Sequence, residues 1–118
     1  MDTILIIDEN SRRAAFIASV LTERTQTAAS ARDAMELMSK GSHSLIILSV
    51  SLPDMDGFEL YEWLRLNPPT RSSRVWFLLD RNDEQTAAAC MRLGACGVLY
   101  GAPAQISARL RRAGLPLR

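Results

Sequence analysis

No acidic residue follows Glu84. All thirteen Asp and Glu residues lie at or before that position, and Arg92, Arg109, Arg111, Arg112 and Arg118 come after it. The formal net charge of +1 therefore conceals a divided chain: nine basic and thirteen acidic residues up to Glu84, then five arginines alone. So small a net charge argues against nucleic-acid binding by phosphate neutralisation. The division can make one face attractive to an acidic partner, although helix surfaces carry charge in any case. Cysteine is scarce. Cys90 and Cys96 form neither a disulfide framework nor a CxxC pair, so both are expected as small buried apolar side chains in a reducing cytoplasm. There is no apolar run of about 18 residues to span a membrane, and no leader pattern. Histidine occurs once, at His43, within the loop-like Gly41-Ser42-His43-Ser44.

What is present is ordinary globular composition, 47% hydrophobic and 23% charged over 118 residues. That length implies one domain, residues 1–118, able to bury a core without disulfides or metal. The chain alternates strand and helix five times. Ile4-Leu5-Ile6-Ile7 is a continuous apolar run, as expected of a strand covered on both faces. Asn10 or Ser11 can cap the helix that follows. A weak second strand lies near residues 26–29, and Ser30-Ala31-Arg32-Asp33 opens a helix that Gly41 stops. Strand three is Leu45 to Leu48. Helix three runs from Phe58 to Leu66 and ends at Asn67-Pro68-Pro69. Strand four is Val75 to Leu79, helix four Asp83 to Leu93 with Gly94 as its stop, and strand five Gly97 to Tyr100. Helix five carries Ile106, Leu110 and Ala113 and closes at Gly114 and Pro116. Five such units predict an α/β fold with a doubly wound, five-stranded parallel sheet, functional residues gathering at the carboxyl ends of the strands.

Those ends carry three motifs: Ile6-Ile7-Asp8-Glu9-Asn10, Leu52-Pro53-Asp54-Met55-Asp56-Gly57-Phe58-Glu59-Leu60, and Leu93-Gly94-Ala95-Cys96-Gly97. Together they resemble the response-regulator receiver family, with its (βα)5 flavodoxin-like, CheY-like fold, over essentially the whole chain. The resemblance implies an acidic pair that binds Mg²⁺, an aspartate after strand three that accepts a phosphoryl group from a histidine kinase, a Ser or Thr after strand four, and a Lys-Pro after strand five.

Asp8 and Glu9 match the acidic pair. With no third carboxylate and no phosphate they are expected to be vestigial, surviving as a strand-end turn with an arginine partner such as Arg12, and no metal or cofactor is expected. Counting back four residues from Pro53 and eight from Gly57 places Ser49 at the acceptor position. A neutral hydroxyl is not an anionic nucleophile without a base beside it, and His43 sits at the far end of the strand. Leu79, fifteen residues before Gly94, takes the hydroxyl position and cannot donate a hydrogen bond. Asp80 beyond it is either a displaced acid in the pocket or the approach to helix four. Gly101 takes the lysine position, with the proline one residue late at Pro103. Val98 takes the position of the aromatic switch residue, and Tyr100 lies two residues beyond it. Asp54 and Asp56 read as turn residues. Trp63 and Trp76 read as core or half-buried packing.

Phosphoryl transfer depends on positioned charge and metal, so the joint absence of acceptor, hydroxyl and lysine predicts a degenerate, non-enzymatic receiver-like domain. It is expected to signal through protein contacts with a partner or a second copy. The family's output surface is helix four, strand five and helix five, and here that surface holds Arg92, Tyr100, Arg109 and Arg112. The alternatives are a phosphoacceptor with atypical chemistry at Asp80 or Asp54, and a small-molecule binder near Ser49 and Leu79. The loop after strand one lacks the glycines of a nucleotide cradle. Arg109-Leu110-Arg111-Arg112 lacks the aromatics of a nucleic-acid site. The domain is expected either to stand alone or to precede an output module in a longer protein.

Overall fold

The structure, a computed structural model, describes residues 3–115 and 117–118; Pro116, expected to close the last helix, lies outside them. The elements follow in strict alternation: β1 (Thr3–Ile7), α1 (Ser11–Val20), β2 (Thr25–Ala28), α2 (Ala31–Lys40), β3 (His43–Ser49), α3 (Gly57–Leu66), a 3-10 turn at Pro68–Thr70, β4 (Arg74–Leu78), α4 (Glu84–Leu93), β5 (Gly97–Leu99) and α5 (Pro103–Arg112). The strands form one parallel sheet in the order β2-β1-β3-β4-β5. The direction of winding reverses between β1 and β3, and the crevice outside their carboxyl ends is where such sheets place their sites.

Period-two alternation along the strands builds two apolar layers. Leu5, Ile7, Ile46, Leu48, Val75 and Phe77 face one side and pack with Ala34, Met38, Leu60, Leu64 and Cys90 from α2, α3 and α4. Ile4, Ile6, Leu45, Ile47, Leu78 and Leu99 face the other and pack with Ile17, Ile106 and Leu110 from α1 and α5. Each of these buried Leu, Ile or Phe side chains contributes about 1.5–3 kcal/mol. The helix starts are locally encoded. Asn10 Oδ1 accepts from Arg13 N at 3.0 Å, Ser30 Oγ from Asp33 N at 3.1 Å and Asp83 Oδ1 from Gln85 N at 3.0 Å, each satisfying a free first-turn donor.

The expected elements are all present, with ends moved by a residue or two. Strands four and five finish at Leu78 and Leu99, which leaves Leu79 and Tyr100 just beyond the sheet. Gly94 stops α4 in the left-handed region at φ +107. Gly41 ends α2 with extended backbone at φ −155 that any residue could adopt. His43 is a correction. It opens β3 and is buried, its Nε2 2.8 Å from Gln26 Oε1 on β2, and its carbonyl accepts from the Ser73 hydroxyl. A loop reading fails because its partners lie seventeen and thirty residues away.

Candidate functional site

At the end of β1, Asp8 is almost fully buried and its backbone N–H donates to Ala28 O at 2.9 Å. The Asn10 cap makes Arg13 the third residue of α1, and helical side chains lean back toward the N-terminus, so its guanidinium lies over Asp8. Nε donates to Oδ2 at 2.7 Å and Nη2 to Oδ1 at 2.9 Å. Asp8 Oδ1 also accepts from Asn10 N at 3.0 Å. The remaining arm, Nη1, donates to Asp80 Oδ1 at 3.0 Å. The hydrogen bond to Asp8 is the largest influence raising the Arg13 pKa above the ordinary arginine value. The sequence pointed to Arg12, which is exposed.

The expected acidic pair is therefore divided: Asp8 is buried and engaged, and Glu9 is exposed. A magnesium ion asks for near-octahedral oxygen ligation at about 2.0–2.1 Å. Both Asp8 oxygens already hold guanidinium or backbone donors. Among the described residues no group of three or more His, Cys, Asp or Glu is placed to hold a metal ion. The donors present do not fit such an ion.

Ser49 ends β3 with no exposure to solvent. Its hydroxyl donates to Ser51 O at 3.0 Å and its oxygen accepts from Ser51 N at 3.2 Å, so donor and acceptor roles are both spent on its own loop. Nearly 20 Å of extended strand separates it from His43. Gly57 closes this loop from behind: its N–H donates to Val50 O at 3.0 Å, and a β-carbon there would lie 2.4 Å from Ser49 O and 2.7 Å from Val50 Cα. The loop's two acids are occupied as well. Asp56 caps α3, accepting from Phe58 N at 2.7 Å. Asp54 reaches back to α2, accepting from Ala31 N at 2.9 Å and Arg32 N at 3.0 Å. The Ala31 N–H, then the Arg32 N–H, holds its carboxyl below the ordinary aspartate range.

Leu79 is buried in the α2–α3–α4 layer, its N–H donating to Leu99 O at 2.9 Å. With Val50, Ser51, Asp80 and Thr86 it lines a shallow cleft of about 160 Å³. Ser49 is not in that lining. Asp80 is 67% exposed and turned toward Arg13. The acid that starts helix four is Asp83, whose carboxylate accepts from the Thr86 hydroxyl at 2.9 Å.

Val98 is half-buried against the same apolar layer as Leu79. Gly101 has φ +100, and a β-carbon on it would lie 2.1 Å from Gln105 Oε1. That oxygen accepts from Ala102 N at 2.8 Å. A side chain at position 101 thus meets both left-handed strain and the folded-back Gln105 amide. Tyr100 and Arg109 are brought together, the guanidinium carbon 3.8 Å from the ring centre, a close cation–π stack. Arg92 and Arg112 are exposed, and among the described residues neither carries an ion pair. Trp63 and Trp76 are half-buried as expected. Of the cysteines Cys90 is buried, whereas Cys96 is exposed, contrary to expectation.

Three contributors escaped the sequence reading: Arg13, Gln105 and the long-range role of Asp54. Gln105 had a usable signal, lying three residues after the residue it caps. The other two act across the fold.

The comparisons with known proteins agree with this architecture. A probable cyclic di-GMP phosphodiesterase of Vibrio cholerae serotype O1 is 28% identical over 100 residues, which cover 83% of this chain and 23% of that protein. A probable chemotaxis protein CheY of Rhizobium etli is 26% identical over 100 residues, 81% of this chain and 78% of that one. The chain thus spans under a quarter of the first relative's length and over three quarters of the second's. A CheY-like receiver domain protein of Methanospirillum hungatei JF-1 superposes with a TM-score of 0.77 at 18% identity, over 96% of this chain and 93% of that one, a likeness of fold. The family model for the response regulator receiver domain matches residues 4–105, a span that runs from β1 into α5 and takes in all four strand ends described above. The chain therefore belongs to the response regulator receiver domain family, the signalling domain of two-component systems.

Proposed function

We propose that this domain is a receiver that works without phosphorylation, signalling through protein contacts on the face formed by α4, β5 and α5. The observation that carries the reading is the state of Ser49: a buried neutral hydroxyl with both hydrogen-bonding roles taken by Ser51. Its hydroxyl bonds to the Ser51 backbone and, among the described residues, to no side-chain base that would raise its nucleophilicity. Phosphoryl transfer relies on charge placed around the transferred group, and the positions read as its partners, Leu79 and Gly101, supply none. Leu79 offers an apolar side chain. Gly101 offers no side chain, and its backbone and Gln105 resist one. Lys40 is the only lysine in the chain; it pairs with Glu36 at 3.1 Å on α2.

The partner surface follows from charge. α5 ends with Arg109, Arg111 and Arg112 in its last turn, and Tyr100 with Arg109 forms a preformed aromatic-cation platform beside them. A partner, or a second copy, that presents carboxylates or backbone carbonyls suits this face. Such a domain calls for no cofactor and catalyses no reaction of its own.

The deciding experiment is exposure of the ¹⁵N-labelled domain to beryllofluoride with Mg²⁺, and separately to a small acyl phosphate followed by intact-mass measurement. No mass increase and no chemical-shift change at residues 79–86 or 97–101 is the expected result. A phosphoryl adduct, or saturable shifts at those positions, would overturn the proposal and point to Asp54 or Asp80 as an atypical acceptor.

A further inference from the structure

We infer that Arg13 is a built-in cation that takes the place of a divalent ion at the end of β1 and ties the chain segment after β4 to it. The inference deepens the phosphorylation-independent reading and rests on it, but stands on separate geometry. Asp8 presents both carboxylate oxygens to Arg13, at 2.7 and 2.9 Å, the side-on arrangement in which a planar guanidinium matches a carboxylate best. The Asp8 side chain is 1% exposed and that of Arg13 15%. Little water screens the pair, and a buried carboxylate requires a counter-charge there. A divalent ion reaching Asp8 would have to displace two charge-assisted hydrogen bonds and then sit against the positive guanidinium. Ser49 supplies no carboxylate to offset that repulsion.

The third arm of Arg13 adds the coupling. Nη1 holds Asp80 at 3.0 Å, and Asp80 directly precedes the segment that leads to the Asp83 cap of α4. The same guanidinium therefore touches residues just beyond the ends of β1 and β4, and the Arg13–Asp80 contact alone spans sixty-seven residues of sequence. The position of that segment is set by the chain itself and does not wait for a bound ligand. Lysine could not replace Arg13, because one ammonium cannot make two parallel bonds to Asp8 while also reaching Asp80.

The test is a titration of the folded, ¹⁵N-labelled domain with Mn²⁺, which broadens nearby amide signals, in wild type, Arg13→Gln and Asp80→Asn, with amide hydrogen exchange on the same samples. The wild type is expected to show no selective broadening at Asp8, Glu9 and Asn10 at millimolar Mn²⁺. Arg13→Gln should gain it, with at least a tenfold rise in affinity. Asp80→Asn keeps the Asp8–Arg13 pair and should stay unbroadened while exchange at residues 80–83 accelerates. Wild-type broadening equal to that of Arg13→Gln would overturn the substitution of metal by arginine, and so would a folded Arg13→Gln that gains none. Should Arg13→Gln fail to fold, Asp80→Asn still decides the tether: unchanged exchange at residues 80–83 would overturn it. A wild type that binds Mn²⁺ would sink this inference without reviving phosphoryl chemistry, which needs the beryllofluoride response as well.

Discussion

A methyl group on Gly57 has nowhere to go. Its nearest neighbours would be the backbone of Ser49 and Val50, and backbone yields less readily than a flexible side chain. Gly57→Ala should therefore cost about 1–3 kcal/mol, the usual penalty of overpacking, read as a lower midpoint in urea at unchanged slope. The two cysteines offer a second prediction at this scale. Burial pushes the Cys90 thiol up to about 11, and its side chain is inaccessible, whereas Cys96 is exposed. Because the thiolate is the reacting species, native protein treated with iodoacetamide near pH 8 should be alkylated once, at Cys96. Cys90 should become reactive only on unfolding, and peptide mass mapping before and after denaturant distinguishes the two.

Among the elements, α2 is unusual in having two side chains at its start, Ser30 from its own sequence and Asp54 from the loop after β3. Asp54 is held below the ordinary aspartate range by the Ala31 and Arg32 N–H groups, and Asp83 by the Thr86 hydroxyl and N–H. A folded-state pKa lowered in this way adds stability that is present above the unfolded value of about 3.9 and is lost as pH falls through the folded value. Asp54→Ala should thus be less stable than wild type at pH 7. The gap should narrow below about pH 4 and close once wild-type Asp54 is protonated. Chemical denaturation at stepped pH measures it, and a gap that does not change with pH would show that the carboxylate's charge is irrelevant.

The elements were legible because their signals are local. Ile4-Leu5-Ile6-Ile7 and Leu45-Ile46-Ile47-Leu48 are continuous apolar runs, and Asn10, Ser30 and Gly94 mark helix ends within a few residues of the helices they serve. Two of the neutral residues at the strand ends, Ser49 and Leu79, could be read by counting from Pro53, Gly57 and Gly94. What replaces them could not. Arg12 and Arg13 are adjacent and identical, and only the helix phase set by Asn10 selects Arg13 for Asp8. Asp54 looks like any turn aspartate until α2 is folded against it. His43 lies among turn-forming residues, and its strand conformation depends on Gln26 and Ser73 from distant segments.

For the molecule as a whole, four of the five arginines after Glu84 lie on α4 and α5, the helices that flank the edge strand β5 in sequence. Reversing Arg109 and Arg112 to Glu should weaken association with an acidic partner or second copy by about 2 kcal/mol or more, some thirtyfold in Kd, with little change in melting temperature since neither residue is buried. Sedimentation and pull-down with wild type and the double variant side by side check it; unchanged association would place the interface elsewhere. Tyr100→Ala separates platform from charge, because it removes the ring under Arg109 and leaves the net charge as it was.

Lys40 closes α2, which packs on the face of the sheet opposite α5, and no second side-chain amine exists anywhere in the chain. Chemistry aimed at primary amines can therefore grip the domain only there or at its terminal amino group. A sensor surface or fluorophore attached at Lys40 would hold every molecule by the flank opposite α5, with the arginine-bearing side turned outward to whatever is flowed across it.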